Sequence, residues 1–331
     1  MPKRAGHLME RIASFSNLQE AFLRAARGRA SESKVVKFRA NLDERLKEMS
    51  ESLLNGTYKF GNYGFFYVFD PKKRLICAAN FADRVAFHAI MRICHPIFDG
   101  FQIFDSYGSR RGKGTYKALD RACVFARKYT WFAKLDVCRY FDSIHHNTLL
   151  SQLGRMFKDP LLMRYFSDII HSYASRPGCG LPIGNLTSQY FANHYLTYAD
   201  RYLKEDLKMS AIVRYMDDTL VFANQKDTLL QVSDLYKSFL AENLALEIHQ
   251  PVINRTCFGV PFLGYVAYGG RLRLNQRSRR RFRCKMSLLR NALEHKDISQ
   301  KNYDFRSSCL LAFVKKADSE GFIRSLKGIC L

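Results

Sequence analysis

Between Ile248 and Leu293 the chain has no aspartate and no glutamate, although those 46 residues carry ten lysines and arginines. Ordinary protein surfaces intersperse both signs, so a one-sign stretch of this length excludes a conventional solvated face and points to a polyanion. No apolar run approaches the 18 or more residues of a membrane-spanning helix. The opening Met-Pro-Lys-Arg-Ala-Gly-His is basic but lacks the apolar region of a secretory leader, and no such leader is expected. The nine cysteines form no C-x-x-C and no paired Cys/His spacing, which excludes a disulfide framework and a structural zinc site. A reducing compartment, hence the cytoplasm, is expected. The G-x-x-x-x-G-K-[ST] spacing of a phosphate-binding P-loop is missing too, as are internal repeats and low-complexity linkers.

The 331 residues suffice for a substantial core, and 47% apolar with 14% aromatic residues exclude a largely disordered chain. Fifty-three lysines and arginines against 30 acids leave +23. That excess implies nucleic acid first and an anionic membrane surface second.

Helical spacing of apolar residues predicts helices over 8–27 and 34–54, the second stopped by Asn55-Gly56. A β-hairpin follows from Phe60 to Ile76, turning at Asp70-Pro71-Lys72-Lys73, and a helix runs from Asn80 to His95. A Gly/Arg-rich loop, Ser106 to Thr115, precedes a helix at 115–128; its glycines and the helix start could approach a phosphate. Next come a strand ending at Asp136, a helix at about 146–157 and a Gly/Pro loop, Gly178 to Asn185, leading into a helix. Ala211 to Ala223 then places two apolar runs around Asp217-Asp218, the pattern of a tight hairpin with carboxylates at its tip. A helix over 227–242, a strand at 244–248 and a basic, helical tail complete the chain.

Taken singly, these features have plain readings: a polar turn, an N-cap aspartate, a loop–helix junction. Two carboxylates about 4 Å apart, however, repel by roughly 4 kcal/mol at an effective dielectric of 20. A divalent cation relieves that repulsion, and Mg²⁺ is the usual partner where carboxylates and substrate phosphates share an ion.

The order of basic hairpin, Gly/Arg loop, strand-end Asp136, Gly/Pro loop, Asp217-Asp218 hairpin and basic tail resembles the core of reverse transcriptases. Tyr215-Met216-Asp217-Asp218 fits that family's signature tetrapeptide, and Asp136 with Phe141 fits its D-x-x-x-x-[FY] block. Phe262-Leu263-Gly264-Tyr265 fits the block that grips the primer. Leu181-Pro182-Ile183-Gly184-Asn185-Leu186-Thr187-Ser188-Gln189 has the I-G-x-x-x-S-Q form that marks the enzymes of diversity-generating retroelements, which miscopy template adenines. Group II intron enzymes carry a P-Q-G…S-P version there. The V-T-G typical of retron enzymes is not found near the thumb, and no maturase or endonuclease extension is expected after it.

The resemblance implies an α+β right-hand polymerase fold: fingers and palm of antiparallel sheet plus helices, then a helical thumb. It divides the chain into an N-terminal helical extension (1–57), fingers (58–135), palm (136–268, with 183–200 bordering the nucleotide) and thumb (269–331). Asp136, Asp217 and Asp218 would be catalytic and, with the Val137 carbonyl, would hold two Mg²⁺ ions, Mn²⁺ being a possible substitute. Lys73 and Arg74 would contact the triphosphate, Phe141 the sugar, and Ile183, Gly184 and Gln189 the base pair. Arg110, Tyr215, Met216, Phe262, Leu263, Gly264, Arg279, Arg280, Arg281 and Arg283 would contact template and primer. The implied partners are template RNA, the RNA/DNA duplex, dNTPs and a small basic homo-oligomeric accessory protein, with no membrane. In many relatives a lysine follows the strand at 244–248; here stand His249, Gln250, Asn254 and Arg255, so the general acid is unassigned. Two other readings stay open: a group II intron-like or retron/antiviral-type reverse transcriptase, and a non-catalytic RNA-binding module.

Overall fold

The computed structural model describes residues 4–69 and 73–324. Among them, nine short strands run in chain order as β1 (Gly64–Phe69), β2 (Lys73–Ala78), β3 (Trp131–Asp136), β4 (Ile212–Tyr215), β5 (Asp218–Ala223), β6 (Val252–Arg255), β7 (Val260–Phe262), β8 (Tyr265–Ala267) and β9 (Leu272–Leu274). They form a β1–β2 hairpin, a four-stranded sheet ordered β4-β5-β3-β6 and a three-stranded sheet ordered β7-β8-β9, with every pairing antiparallel. Helices occupy much of the rest, so the mixed α+β architecture is as expected. The chain divides into two units, each assembled from three segments.

The first unit comprises Met1–Phe104, Val137–Tyr202 and Tyr236–Ile248. The predicted 8–27 helix is two helices, Met9–Ala13 and Phe15–Ala26, because Ser14 leaves helical geometry and caps the second by accepting from the Asn17 amide. The predicted 34–54 helix breaks likewise, at Asn41, into Ser33–Ala40 and Leu42–Leu54. Asn80 caps the long helix Phe81–Phe101, accepting from the Asp83 amide. Buried Phe98 of that helix meets the rings of Phe157, Phe166, Tyr190, Phe191 and His194, and this aromatic cluster fixes the helix Leu186–Arg201 against it. The hairpin turn at 70–72 lies outside the described residues, as do 1–3 and 325–331.

The second unit comprises Asp105–Asp136, Leu203–Leu235 and His249–Leu331. The helix Thr115–Lys128 buries Ala118, Leu119, Ala122 and Phe125 in one core with Val213, Leu220 and Phe222 of the four-stranded sheet. The same core continues through Phe262 and Tyr265 to Phe282, Met286 and Val314 of the C-terminal helices. The strand expected at 244–248 does not form. Leu244 ends the helix Lys226–Leu244, Ala245 turns the chain with φ 49°, and Ile248 makes only an isolated bridge to Val137. The strand beside β3 is β6, after Pro251. In the C-terminal tail, Leu272–Leu274 is a strand, and the helices Gln276–Glu294, Gln300–Lys315 and Glu320–Arg324 follow.

Candidate active site

The acidic cluster lies in the second unit, and strand register builds it. β3 and β5 are antiparallel with Asp136 directly opposite Asp218. β4 and β5 pair Tyr215 with Asp218, which leaves Met216 and Asp217 as a two-residue turn. Only Asp217 therefore occupies the tip; Asp218 is the first residue of β5.

Met216 takes φ 56°, a left-handed conformation that costs a side-chain-bearing residue of order 1 kcal/mol. Two neighbours hold it there. Arg214, fully buried, donates from Nη1 to the Met216 carbonyl at 2.9 Å. Gly108 comes so close that a Cβ on it would stand 2.8 Å from Met216 Sδ and 2.9 Å from its amide nitrogen. The Gly/Arg loop thus backs the Met216-Asp217 turn, and backbone bonds fix the contact. The Arg214 amide donates to the Asp105 carbonyl (2.9 Å) and the Tyr107 amide to the Arg214 carbonyl (2.8 Å). Buried Asp105 is in turn paired with Arg121 (2.9 Å) and Lys204 (3.6 Å). Tyr215 accepts at its hydroxyl from Thr115 (3.2 Å), and half-buried Arg110 donates to the Ser106 carbonyl (3.1 Å).

Asp218 is largely buried, and its Oδ2 lies 3.2 Å from Lys134 Nζ. Burial pushes its pKa up to about 6; Lys134 pulls the other way, and the charges of Asp136 and Asp217 push it further up. Its Oδ1 is buried with no hydrogen-bond partner. An orphaned carboxylate oxygen beside two further carboxylates, in an all-oxygen donor set, fits a hard divalent cation. Among the described residues no three acidic, histidine or cysteine side chains already converge as a cation cage; Lys134 holds one oxygen of Asp218 instead.

The residues expected to grip the primer, and the basic helix, belong to this same unit. Leu263 (φ 47°) and Gly264 (φ 87°) form the two-residue β7–β8 turn, both left-handed as a type I′ hairpin requires. Phe262 is buried beneath it. Arg279, Arg280, Arg281 and Arg283 are exposed on the helix Gln276–Glu294, with the Arg279 and Arg283 guanidiniums 5.7 and 5.3 Å from the Phe322 ring.

The first unit holds the expected nucleotide residues. The Cys77 amide of β2 donates to the Ile183 carbonyl, and the Leu181 amide to the Phe141 carbonyl, each at 2.8 Å. Gly184 has φ 117°, and a Cβ there would stand 2.9 Å from Ile76 Cγ2, so glycine is needed for both conformation and space. Phe141, Ile183 and Gly184 are therefore linked with β2 in one patch. Lys73 and Arg74 are exposed on the same strand, Lys73 Nζ standing 4.3 Å over the Tyr67 ring. Gln189 is exposed in the first turn of the helix Leu186–Arg201, and Val137 is buried at its bridge to Ile248. Lys134 and Arg214 were given no role on sequence. A lysine two residues before Asp136, on the same strand face, was the available signal for the first; nothing distinguishes buried Arg214 from a solvated strand residue.

With this geometry in view, the comparisons decide the family. Residues 70–266 match the model of the family described as reverse transcriptase (RNA-dependent DNA polymerase). The chain belongs to the reverse transcriptase family. The Putative COX1/OXI3 intron 1 protein of Saccharomyces cerevisiae is 25% identical over 174 residues, 50% of this chain and 21% of that protein. The Group II intron-encoded protein LtrA of Lactococcus lactis subsp. cremoris is 25% identical over 180 residues, 50% of this chain and 29% of its own length. The matches thus span under a third of these relatives. Among solved structures, telomerase from Candida Tropicalis in complex with a TWJ fragment of telomeric RNA superposes with a TM-score of 0.50 at 13% identity, covering 86% of this chain and 59% of that one. That likeness bears out the right-hand polymerase fold. Among the described residues no helix is long and apolar enough to cross a membrane.

Proposed function

We propose that this chain copies an RNA template into DNA and does so inaccurately at template adenines, as the polymerase of a diversity-generating retroelement. The observation that carries the polymerase reading is the register that sets Asp136 opposite Asp218 with Asp217 at the adjoining turn. The primer 3′-oxygen attacks the α-phosphorus of a dNTP as the bond to pyrophosphate breaks. Asp136 and Asp217, with the Val137 carbonyl and less directly Asp218, would hold two Mg²⁺ ions, whose chemistry is to acidify the primer hydroxyl and neutralise the triphosphate and leaving pyrophosphate. Arg214 and Gly108 hold the turn that presents Asp217. Lys73 and Arg74 take the triphosphate, Phe141 excludes a 2′-hydroxyl, and Ile183, Gly184 and Gln189 border the nascent pair. The duplex rests on the Phe262-Leu263-Gly264 turn and the arginines of Gln276–Glu294, where phosphate contacts release counterions. The Gly/Arg loop with Arg110 reaches the template.

The subtype rests on the 181–189 loop, where Ile183 replaces a polar side chain beside the pair. A small basic accessory protein and cytoplasmic location belong to this reading. The group II intron-like alternative is favoured by the intron-encoded relatives. A non-catalytic RNA-binding module leaves the three carboxylates without a use.

Primer extension on RNA with Mg²⁺, followed by cDNA sequencing, tests the proposal. Errors concentrated opposite adenine support the retroelement subtype, whereas faithful extension favours the intron-like one. No extension with a structured template and a candidate accessory protein both present removes the polymerase reading.

A further inference from the structure

Arg255, Arg271 and Arg273 belong to the acid-free stretch but stand apart from its basic helix. β3 and β6 pair Arg255 with Trp131, the first residue of β3, whereas Asp136 is the last. At a rise of about 3.3 Å per residue, Trp131 and Asp136 lie roughly 17 Å apart. The β8–β9 turn, which carries Arg271, leaves its sheet at the end opposite the Leu263-Gly264 turn, because successive turns of an antiparallel meander alternate ends. Thr256 ties these pieces together: its amide donates to the Thr130 carbonyl (2.9 Å) and its Oγ1 to the Tyr129 carbonyl (2.6 Å). A Cβ on Gly269 would stand 3.0 Å from Arg127 Cα, so glycine lets the β8–β9 turn seat against the end of the helix Thr115–Lys128. Between Arg127, Thr256, Tyr268 and Arg271 an open cavity of about 550 Å³ results. Half-buried rings hold the cations around it. The Arg271 and Arg273 guanidiniums stand 5.1 and 5.8 Å from the centre of the Tyr268 ring. The Arg255 guanidinium and the Lys226 ammonium stand 5.2 and 5.9 Å from that of Trp131.

Arg127, Lys226, Arg255, Arg271 and Arg273 are all exposed, and among the described residues none of them pairs with a carboxylate. The adjoining cavity that shares Gly270 and Arg271 holds Asp120 and Asp318, and Asp120 is taken up by Lys316 at 2.7 Å. Phe258, two residues after Thr256, is 66% exposed. A solvated face would intersperse these cations with acids. Cations held against aromatic rings instead match the binding of single strands, with phosphates on the cations and bases on ring or guanidinium planes. We propose that this surface, built on Trp131 and Tyr268, binds a single-stranded segment of RNA, separately from the duplex expected on the helix Gln276–Glu294. An acidic protein segment would answer the cations but leave the rings without a use. A strand held here keeps an RNA on the chain without occupying the carboxylate cluster.

Trp131 is the only tryptophan in the chain, so tryptophan fluorescence reports on this surface alone. Titrating the full chain with an oligouridylate of about 12 nucleotides, a length that single-stranded sites span, should quench that emission saturably. Tyr268→Ala should weaken binding about tenfold, the order of one lost base stack, while Tyr268→Phe keeps the ring and should stay within about twofold of the parent. Arg271→Ser/Arg273→Ser should weaken it similarly and reduce the magnitude of the log K against log salt slope by about 1.4, at roughly 0.7 per single-strand phosphate contact. That double variant should extend a bound primer at near-parental rate, and it carries the test should Tyr268→Ala not fold. Arg279→Ser/Arg280→Ser should leave the quenching midpoint unchanged. Absence of quenching by RNA, whatever anisotropy shows of binding elsewhere on the chain, would overturn the proposal. So would quenching that Arg279→Ser/Arg280→Ser weakens and Arg271→Ser/Arg273→Ser does not. Quenching by polyglutamate and not by RNA would also overturn it, giving the surface to an acidic protein partner.

Discussion

The two units differ in the kind of side chain each offers. The second works with charge. It carries the three carboxylates, Lys134 paired with Asp218, the buried Arg214 and Asp105, and the exposed arginines of the helix Gln276–Glu294. The first works with shape: an isoleucine and a phenylalanine, both half-buried, and a glycine that permits close approach of β2, with Lys73 and Arg74 as its cationic contribution. On the proposed reading, charge would act on the rate of phosphoryl transfer, and shape on which nucleotide is accepted. A variant in one unit should consequently change a different observable from a variant in the other.

The strongest break is at Asp136. Asp136→Asn removes a carboxylate facing Asp218 and should lower primer extension by at least ~10³-fold. Its melting temperature should hold or rise, since like-charge repulsion falls; circular dichroism melts check this. A joint Lys73→Ala/Arg74→Ala change should raise KM for dNTP by roughly 10–100-fold, the scale of lost charge-assisted phosphate contacts, with kcat altered much less. Steady-state kinetics at varied dNTP separates the two parameters.

Two histidines of the first unit and Asp218 of the second respond to pH with opposite slopes. In the first, burial pulls His88 down to about 4 and His194 to about 3. The unfolded chain takes up those protons below about 6.5, the ordinary histidine value, whereas the folded chain does not, so stability falls as pH drops from there towards 4. In the second, Asp218 is raised to about 6. Its contribution is fully present below about 4, near the unfolded carboxylate value, and is lost as pH rises through 6. Peptide-resolved hydrogen exchange in divalent-free buffer between pH 7 and 5 should show the helices around His88 and His194 losing protection while β3 and β5 gain it.

Arg279→Ser/Arg280→Ser should weaken duplex binding across all sequences and reduce the magnitude of the log K against log salt slope by about 2, which anisotropy titrations would read. The smallest effect belongs to shape alone: Ile183→Gln should lower errors opposite template adenine by a few-fold, about 1 kcal/mol of discrimination, at near-parental extension rate. An unchanged adenine error spectrum would detach the loop from fidelity.

The contrast also explains what could be read from the sequence. Asp217 and Asp218 stood out because apolar runs bracket them, and Asp136 because an apolar strand ends there. Both are local patterns, and the structure keeps both. Lys134 and Arg214 depend on register and burial, which pairing partners far along the chain decide. Lys134 gains its meaning only when β5 lies beside β3. Arg214 resembles a solvated strand residue until Asp105 and Tyr107 close over its backbone. The strand expected at 244–248 failed for a related reason: its residues fit an extended pattern, but the preceding helix runs on to Leu244 and leaves β6 to fill the sheet position. The breaks at Ser14 and Asn41 show the same limit, since apolar spacing carries through a cap that stops the helix.

Asp217→Asn offers the most direct test of the account. With primed RNA and Mg²⁺, one experiment can follow both equilibrium binding of the next dNTP and its single-turnover incorporation. The account predicts that this variant binds the correct dNTP within a few-fold of the parent yet incorporates it at least ~10³-fold more slowly, because on the proposed reading this carboxylate serves the chemical step rather than nucleotide binding. Incorporation within about tenfold of the parent would contradict it.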